Sequence, residues 1–361
     1  MKILFTAPLP PPVTGHSLAA KVFLDYLTPV HELKVVNLSK QSFKGGADSY
    51  KRFLEIGILL KQVFQKKMNA DLIYLTISES LAGNIKDLFI YLICFRKLSK
   101  TYIHLHGGSI RKLLFEKYLV LKWINGFFLK RIGGVIVLGK SHIPIFEGLV
   151  SQEKIHVVPN FAEDYLFTDD LSIKDKFQND DKLRILFLSN LITGKGYNEI
   201  VDAFTGLDDE LKKNIAIDFA GAFESEKYKK EFLKKIESIP EITYHGIVSG
   251  DKKKQMFDIA HVLILPTSLF EGQPISIIEA YASGCAVAVT NSGGICDVFI
   301  DNINGFEIAN QSPLAIRDVI KKMQNQKNLL LNFAIKNCKI AKEMYTISKY
   351  INSLQKTLSI N

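Results

Sequence analysis

Cysteine is scarce in this chain of 361 residues: Cys94, Cys285, Cys296 and Cys338 are the only four, and no two form a C-x-x-C pair. That excludes a disulfide scaffold and a cysteine-based zinc site, and it favours a reducing compartment. Long apolar runs are missing too. Stretches 88–95 and 118–129 fall short of the roughly 20 residues that a bilayer span requires. The dinucleotide fingerprint G-x-G-x-x-G does not occur, and neither does a recognised nucleic-acid-binding motif. The opening run 2–7 stops at Pro8, which is not the pattern of a signal peptide. The expectation is a cytoplasmic protein, and 47% hydrophobic with 23% charged residues is the balance of a globular chain long enough for two cores.

Acidic residues are sparse in the first half. Residues 1–165 hold 22 Lys+Arg against 12 Asp+Glu, whereas 166–361 hold 24 against 25, so the whole excess of the +9 chain lies in the first half. Such an excess favours an anionic partner, either a membrane surface or a phosphorylated acceptor. Within it, segment 111–131 sets Arg111, Lys112, Lys117, Lys122, Lys130 and Arg131 among Trp123, Phe127 and Phe128 at largely helical spacing, as interfacial helices do. A core-facing helix with a basic outer face has the same spacing.

Apolar runs alternate with amphipathic segments at 3–6, 33–36, 72–75, 101–105, 135–138 and 156–159, the rhythm of a parallel α/β sheet. After a polar stretch near 164–181 the rhythm restarts at 184–188, 215–220, 242–244, 262–265 and 286–290. Two α/β domains follow from this, residues 1–163 and 164–344. Ligands of such sheets bind beyond the carboxyl ends of the strands, so a cleft between two facing domains is the expected site.

The segment Phe270-Glu271-Gly272-Gln273-Pro274-Ile275-Ser276-Ile277-Ile278-Glu279-Ala280 crosses from a buried strand into a helix, with proline at the helix start. Backbone N–H groups at such a junction attract phosphate, and its two carboxylates accept from hydroxyls. This segment, with 286–290 and Gly293-Gly294 after it, resembles the E-x7-E region of the family 4 retaining glycosyltransferases. The resemblance implies a GT-B architecture: α/β, two facing Rossmann-like domains with a cleft between them. It also implies that a last helix, about 345–361, crosses back to the first domain. Glu271 would contact hydroxyls of the donor sugar and Glu279 the nucleotide ribose. The backbone of Gly272, Gln273, Pro274 and Ile275 would face sugar and diphosphate.

Further matches carry further roles. Lys195, between Gly194 and Gly196 just after a buried strand, takes the place of the family lysine that binds donor phosphate, although a solvated turn lysine looks the same in isolation. Asn190 stands where an arginine is usual, so one charge on the diphosphate is missing or supplied elsewhere. Gly15 matches the glycine-rich loop after the first strand, with His16 replacing the second glycine. His106 lies on one strand face with His104 and resembles the family histidine near the reacting carbon. Tyr244-His245-Gly246-Ile247 resembles the loop where the nucleotide base docks, and Val157-Val158-Pro159-Asn160 the inter-domain turn.

The implied activity is retaining transfer of a hexosyl unit from a nucleoside diphosphate sugar to a hydroxyl acceptor, with no metal or other cofactor required. The basic first half adds a lipid-linked glycan acceptor, as in bacterial surface polysaccharide assembly, and peripheral contact with an anionic membrane. A nucleotide-sugar 2-epimerase, or a non-catalytic subunit that binds nucleotide sugar, would share the same donor site.

Overall fold

A computed structural model describes residues 1–39, 49–178 and 182–360. The chain divides into two compact units. Unit 1 comprises Met1–Asn160, Glu271–Gln273 and Tyr350–Asn361, and unit 2 comprises Phe161–Phe270 and Pro274–Lys349.

Unit 1 is built on β1 (Lys2–Ala7), β2 (Glu32–Asn37), β3 (Leu72–Thr76), β4 (Thr101–His104), β5 (Gly134–Val137) and β6 (Ile155–Val157). They form one parallel sheet in the order β2-β1-β3-β4-β5-β6. β3 and β5 are buried at every position, as strands covered on both faces must be, and both are apolar almost throughout. Helix α1 (Gly15–Leu27) begins at Gly15 because Thr14 caps it. Its Oγ1 accepts from Ser17 N–H at 3.1 Å, while Ser17 Oγ accepts from Thr14 N–H at 2.8 Å. Helices α2 (Leu81–Ile93) and α3 (Leu119–Leu129) are joined through a reciprocal, buried amide pair between Asn84 and Asn125.

Unit 2 is built on β7 (Leu183–Leu188), β8 (Ile215–Ala220), β9 (Ile242–Tyr244), β10 (Val262–Leu265), β11 (Ala286–Val289) and β12 (Gly305–Glu307), again all parallel, in the order β12-β11-β10-β7-β8-β9. β12 has no counterpart in the sequence reading: three residues carry too little periodicity. It pairs closely enough with β11 that a Cβ on Gly305 would lie 1.8 Å from the Val287 carbonyl oxygen. The helices that matter for the site are α4 (Tyr197–Thr205), α5 (Gly250–Ile259) and α6 (Ile275–Ala282). β7 and β10 are neighbours from which the chain winds outward in opposite directions, so the loops leaving their carboxyl ends flank a topological switch point. Helix α7 (Ile347–Leu358) passes into unit 1, where the Tyr350 hydroxyl donates to the Ala19 carbonyl at 3.4 Å.

Candidate active site

The loops at that switch point carry Lys195 and the segment leading into α6. Gly194 and Gly196 take φ of +90° and +85°, a region open to glycine but strained for other residues. A Cβ on Gly196 would also meet the Pro266 carbonyl oxygen at 2.4 Å. The Gly194 carbonyl accepts from Ser268 N–H at 2.8 Å and from Gln311 Nε2 at 2.7 Å. Half-buried Lys195 therefore stands on a turn locked to the loop after β10, while Asn190, at the end of β7, is exposed.

Pro274 precedes α6 as its N-cap, one residue outside the helix rather than its first residue, and makes no side-chain hydrogen bond to the first turn. The N–H groups of Ile275 and Ser276 are donors of the kind that bind phosphate. Half-buried Glu271 and Gly272 come just before, within unit 1. Gly272 is held so near the strand end of unit 1 that a Cβ on it would lie 2.2 Å from the His106 carbonyl oxygen. The buried side chain of Gln273 is engaged at both ends: Oε1 accepts from Asn160 N–H at 2.6 Å and Nε2 donates to the Leu138 carbonyl at 3.1 Å. Asn160 Nδ2 in turn donates to the Gln273 carbonyl at 2.8 Å. These bonds set the height of the Glu271–Gln273 turn on unit 1, and they leave Gln273 a structural role in its side chain.

Glu279 does not sit on a solvated helix face. It is 4% exposed, and Lys253 Nζ on α5, 7% exposed, lies 2.6 Å from Glu279 Oε1 and 2.7 Å from Glu163 Oε2. Burial lifts the Glu279 carboxyl above the ordinary carboxylate range, and the Lys253 ammonium pulls against that rise. Burial disfavours the Lys253 charge as well, but Glu279 and Glu163 together hold it above the usual lysine range, so Lys253 is protonated. Sequence reasoning missed Lys253 and Glu163; a lysine in a basic helical run carries no local sign that it is buried.

In unit 1 the rings of His16 and His106 stack at 4.2 Å between centroids and 22° between planes, and His106 lies 3.9 Å and 33° from His104. The Tyr74 hydroxyl meets His104 Nδ1 at 2.7 Å. His106 keeps part of its surface exposed, but the Nε2 atoms of all three rings are enclosed without a hydrogen-bond partner. Burial lowers His16 to about 4, with Lys86 adding to the fall, and lowers His104 to about 3; His106 is also driven well below the usual histidine range by burial. Three neutral imidazoles result. Among the described residues no group of His, Cys, Asp and Glu is placed to hold a metal ion. Gly15 is exposed at the first position of α1, beside this stack. Glu79, raised by burial, accepts from Ser109 N–H and lies against Gly107. Ile247, in unit 2, is 69% exposed beside Gly246, whose φ is +74°. His245 Nε2 meets Asp218 Oδ1 at 2.6 Å.

Segment 111–131 forms a short π-helical turn, Arg111–Phe115, followed by α3. Asn125, Gly126, Phe128 and Leu129 face inward, and the outer face is apolar rather than basic: Leu119 is 74%, Val120 70% and Trp123 75% exposed. Phe127 stacks on Phe95 at the end of α2 and lies under the Arg131 guanidinium at 4.0 Å. Among the described residues no helix is long and apolar enough to cross a membrane.

Residues 169–339 match the family model described as glycosyl transferases group 1. It is 23% identical over 216 residues to an uncharacterised glycosyltransferase of Methanocaldococcus jannaschii, which covers 58% of this chain and 54% of that protein. It is 26% identical over 222 residues, 59% of this chain and 58% of the relative, to the Campylobacter jejuni GalNAc-alpha-(1->4)-GalNAc-alpha-(1->3)-diNAcBac-PP-undecaprenol alpha-1,4-N-acetyl-D-galactosaminyltransferase. The chain thus spans just over half the length of these curated relatives. Over 99% of both chains its fold superposes on Anabaena HepE, solved with UDP and glucose, with a TM-score of 0.76 at 17% identity. That likeness places the chain in the GT-B fold.

Proposed function

We propose that this protein is a retaining glycosyltransferase of the family 4 type, moving a hexosyl unit from a nucleoside diphosphate sugar to a hydroxyl acceptor. The observation that carries the reading is the Glu271–Gln273 turn, which meets the His106 carbonyl on one side and leads into the uncapped first turn of α6 on the other. In this reading the bond from the anomeric carbon to the diphosphate oxygen breaks as the bond to the acceptor oxygen forms. The acceptor's proton passes to the leaving diphosphate. Lys195 and the N–H groups opening α6 stabilise the charge that develops there, Glu271 and the neutral imidazole of His106 orient the sugar, and Glu279 accepts from the ribose. Gly15 admits the diphosphate closely, Ile247 offers an apolar surface to the base, and Asn190 adds a neutral hydrogen bond in place of an arginine. Charge neutralisation falls to protein groups, so turnover is expected to persist in excess EDTA. Screening UDP-, GDP- and ADP-sugars for a raised melting point identifies the donor, since a ligand of the native state stabilises it. Undiminished transfer from that donor by Glu271→Ala and Lys195→Ala proteins would refute the assignment.

The acceptor we assign is a lipid-linked glycan, reached at an anionic membrane surface. Support comes from the outer face of α3: Leu119, Val120, Trp123 and Phe127 are flanked by Lys122, Lys130 and Arg131, and residues 117–146 contain no Asp or Glu. The expected result is co-sedimentation with phosphatidylglycerol vesicles at low salt, weakened by Trp123→Ala. Equal binding to neutral vesicles would count against it.

A further inference from the structure

His16 is the residue at which this chain departs most plainly from the glycine-rich loop it resembles, and it is the outer member of the ring stack. We infer that His16 is a positioning residue: its ring clamps the imidazole of His106 against His104, so that His106 meets the donor sugar as an oriented hydrogen-bonding group. This rests on the transfer reading given above for His106.

The argument starts from what holds the His106 ring. The torsion that spins an imidazole is soft, and a hydrogen bond at one nitrogen normally fixes it. His106 Nε2 is enclosed and has no such bond. Its two ring faces are in contact with His104 at 3.9 Å and His16 at 4.2 Å between centroids. His104 is itself anchored by the Tyr74 hydroxyl, so the inner face is rigid. The outer face is covered by the ring of His16, which is pinned through the Thr14–Ser17 capping box at the start of α1. The carbonyl of His106 meets Gly272, so the backbone of this residue is held by the donor loop while its ring is held by the stack.

The same arrangement keeps the stack uncharged. His16 is the second residue of α1, where the helix dipole opposes an imidazolium, and Lys86 on α2 adds to that opposition. Tyr74 lies behind His104 with Tyr350 beyond it, Glu79 lies against Gly107, and Glu271 precedes Gly272. Removing the His16 ring admits water to the outer face of His106, which relieves the desolvation that disfavours its charged form.

The test is a pH titration of histidine ring resonances in the ligand-free full chain, with His106 assigned by its loss in His106→Gln. Wild type, His16→Ala and His16→Phe are compared. His16→Ala should raise the His106 midpoint by about one pH unit or more, and His16→Phe, which keeps a flat ring, should hold it near wild type. With the UDP-, GDP- or ADP-hexose that stabilises the wild-type protein, His16→Ala should lower kcat about 10-fold with little change in KM, and His16→Phe should recover most of that loss. An unchanged midpoint in His16→Ala overturns the proposal. So does a His16→Phe protein as impaired as His16→Ala, which would mean that the nitrogen and not the ring face matters. A wild type that turns over no donor would refute the transfer reading, while the ring titration would still judge the clamp.

Discussion

Replacing Lys253 with methionine isolates the consequence of burying Glu279. In the native protein one ammonium, 7% exposed, neutralises a carboxylate that is 4% exposed and also reaches Glu163. Breaking a buried pair by removing one partner costs about 3–5 kcal/mol, because the remaining charge stays desolvated. Methionine matches the length of the lysine stem, so little of that loss comes from a cavity. The cost must depend on pH. Burial already lifts the Glu279 carboxyl, and without Lys253 the opposing pull disappears, so its folded pKa rises further above the unfolded value. A carboxyl raised in the folded state is protonated there while the unfolded chain is already ionised. Stability therefore falls as pH rises through the window from the unfolded value, near 4.3, to the raised folded value. Lys253 itself is raised in the wild type and contributes evenly from pH 5 to 8. Urea denaturation followed by circular dichroism should show a deficit for Lys253→Met of about 3–5 kcal/mol at pH 8, shrinking to roughly 1–2 kcal/mol at pH 5. A deficit below about 1 kcal/mol at pH 8, or one equal at both pH values, would show that the triad is effectively solvated and refute the reasoning.

Gly272→Ala must move the Glu271–Gln273 turn by more than an ångström to relieve the Cβ approach of 2.2 Å to the His106 carbonyl oxygen, and the proposed transfer should slow about 100-fold; wild-type kinetics would contradict the close contact. If Lys195 stabilises the leaving diphosphate as proposed, Lys195→Ala should lower transfer about 100-fold, chiefly in kcat, since that charge develops in the transition state; a loss confined to KM would point to ground-state binding alone. The buried histidines have folded pKa values below the unfolded value near 6.5, so their contribution falls as pH drops below that point. Each one that stays neutral costs about 2 kcal/mol between pH 7 and pH 5. His104→Phe should lose about 2 kcal/mol less than wild type over that interval in urea titrations, and an identical slope would mean that His104 protonates freely in the fold.

Much of the chain was legible before any coordinates. Strands such as β10 and β11 are unbroken apolar runs, because a parallel strand covered on both faces has no solvent side on which to place polar residues. The loop that leads into Gly15 and the loops holding Lys195 and Glu271 could be located because glycine and proline mark the ends of those runs. β12 escaped notice for the opposite reason: Gly305–Glu307 is held by register with β11 and has no pattern of its own.

Pairings distant along the chain were beyond local reading. Nothing near Lys253 says that its ammonium is enclosed between Glu163 and Glu279, 90 and 26 positions away. His16 reads as a substituted glycine until the order of β1, β3 and β4 in the sheet brings its ring onto His106. The fold class and the choice of candidate site residues were written in local pattern, which depends on each residue's own covalent chemistry. The protonation state and orientation of those groups came from tertiary structure, because desolvation and stacking exist only once remote segments exclude water from one another.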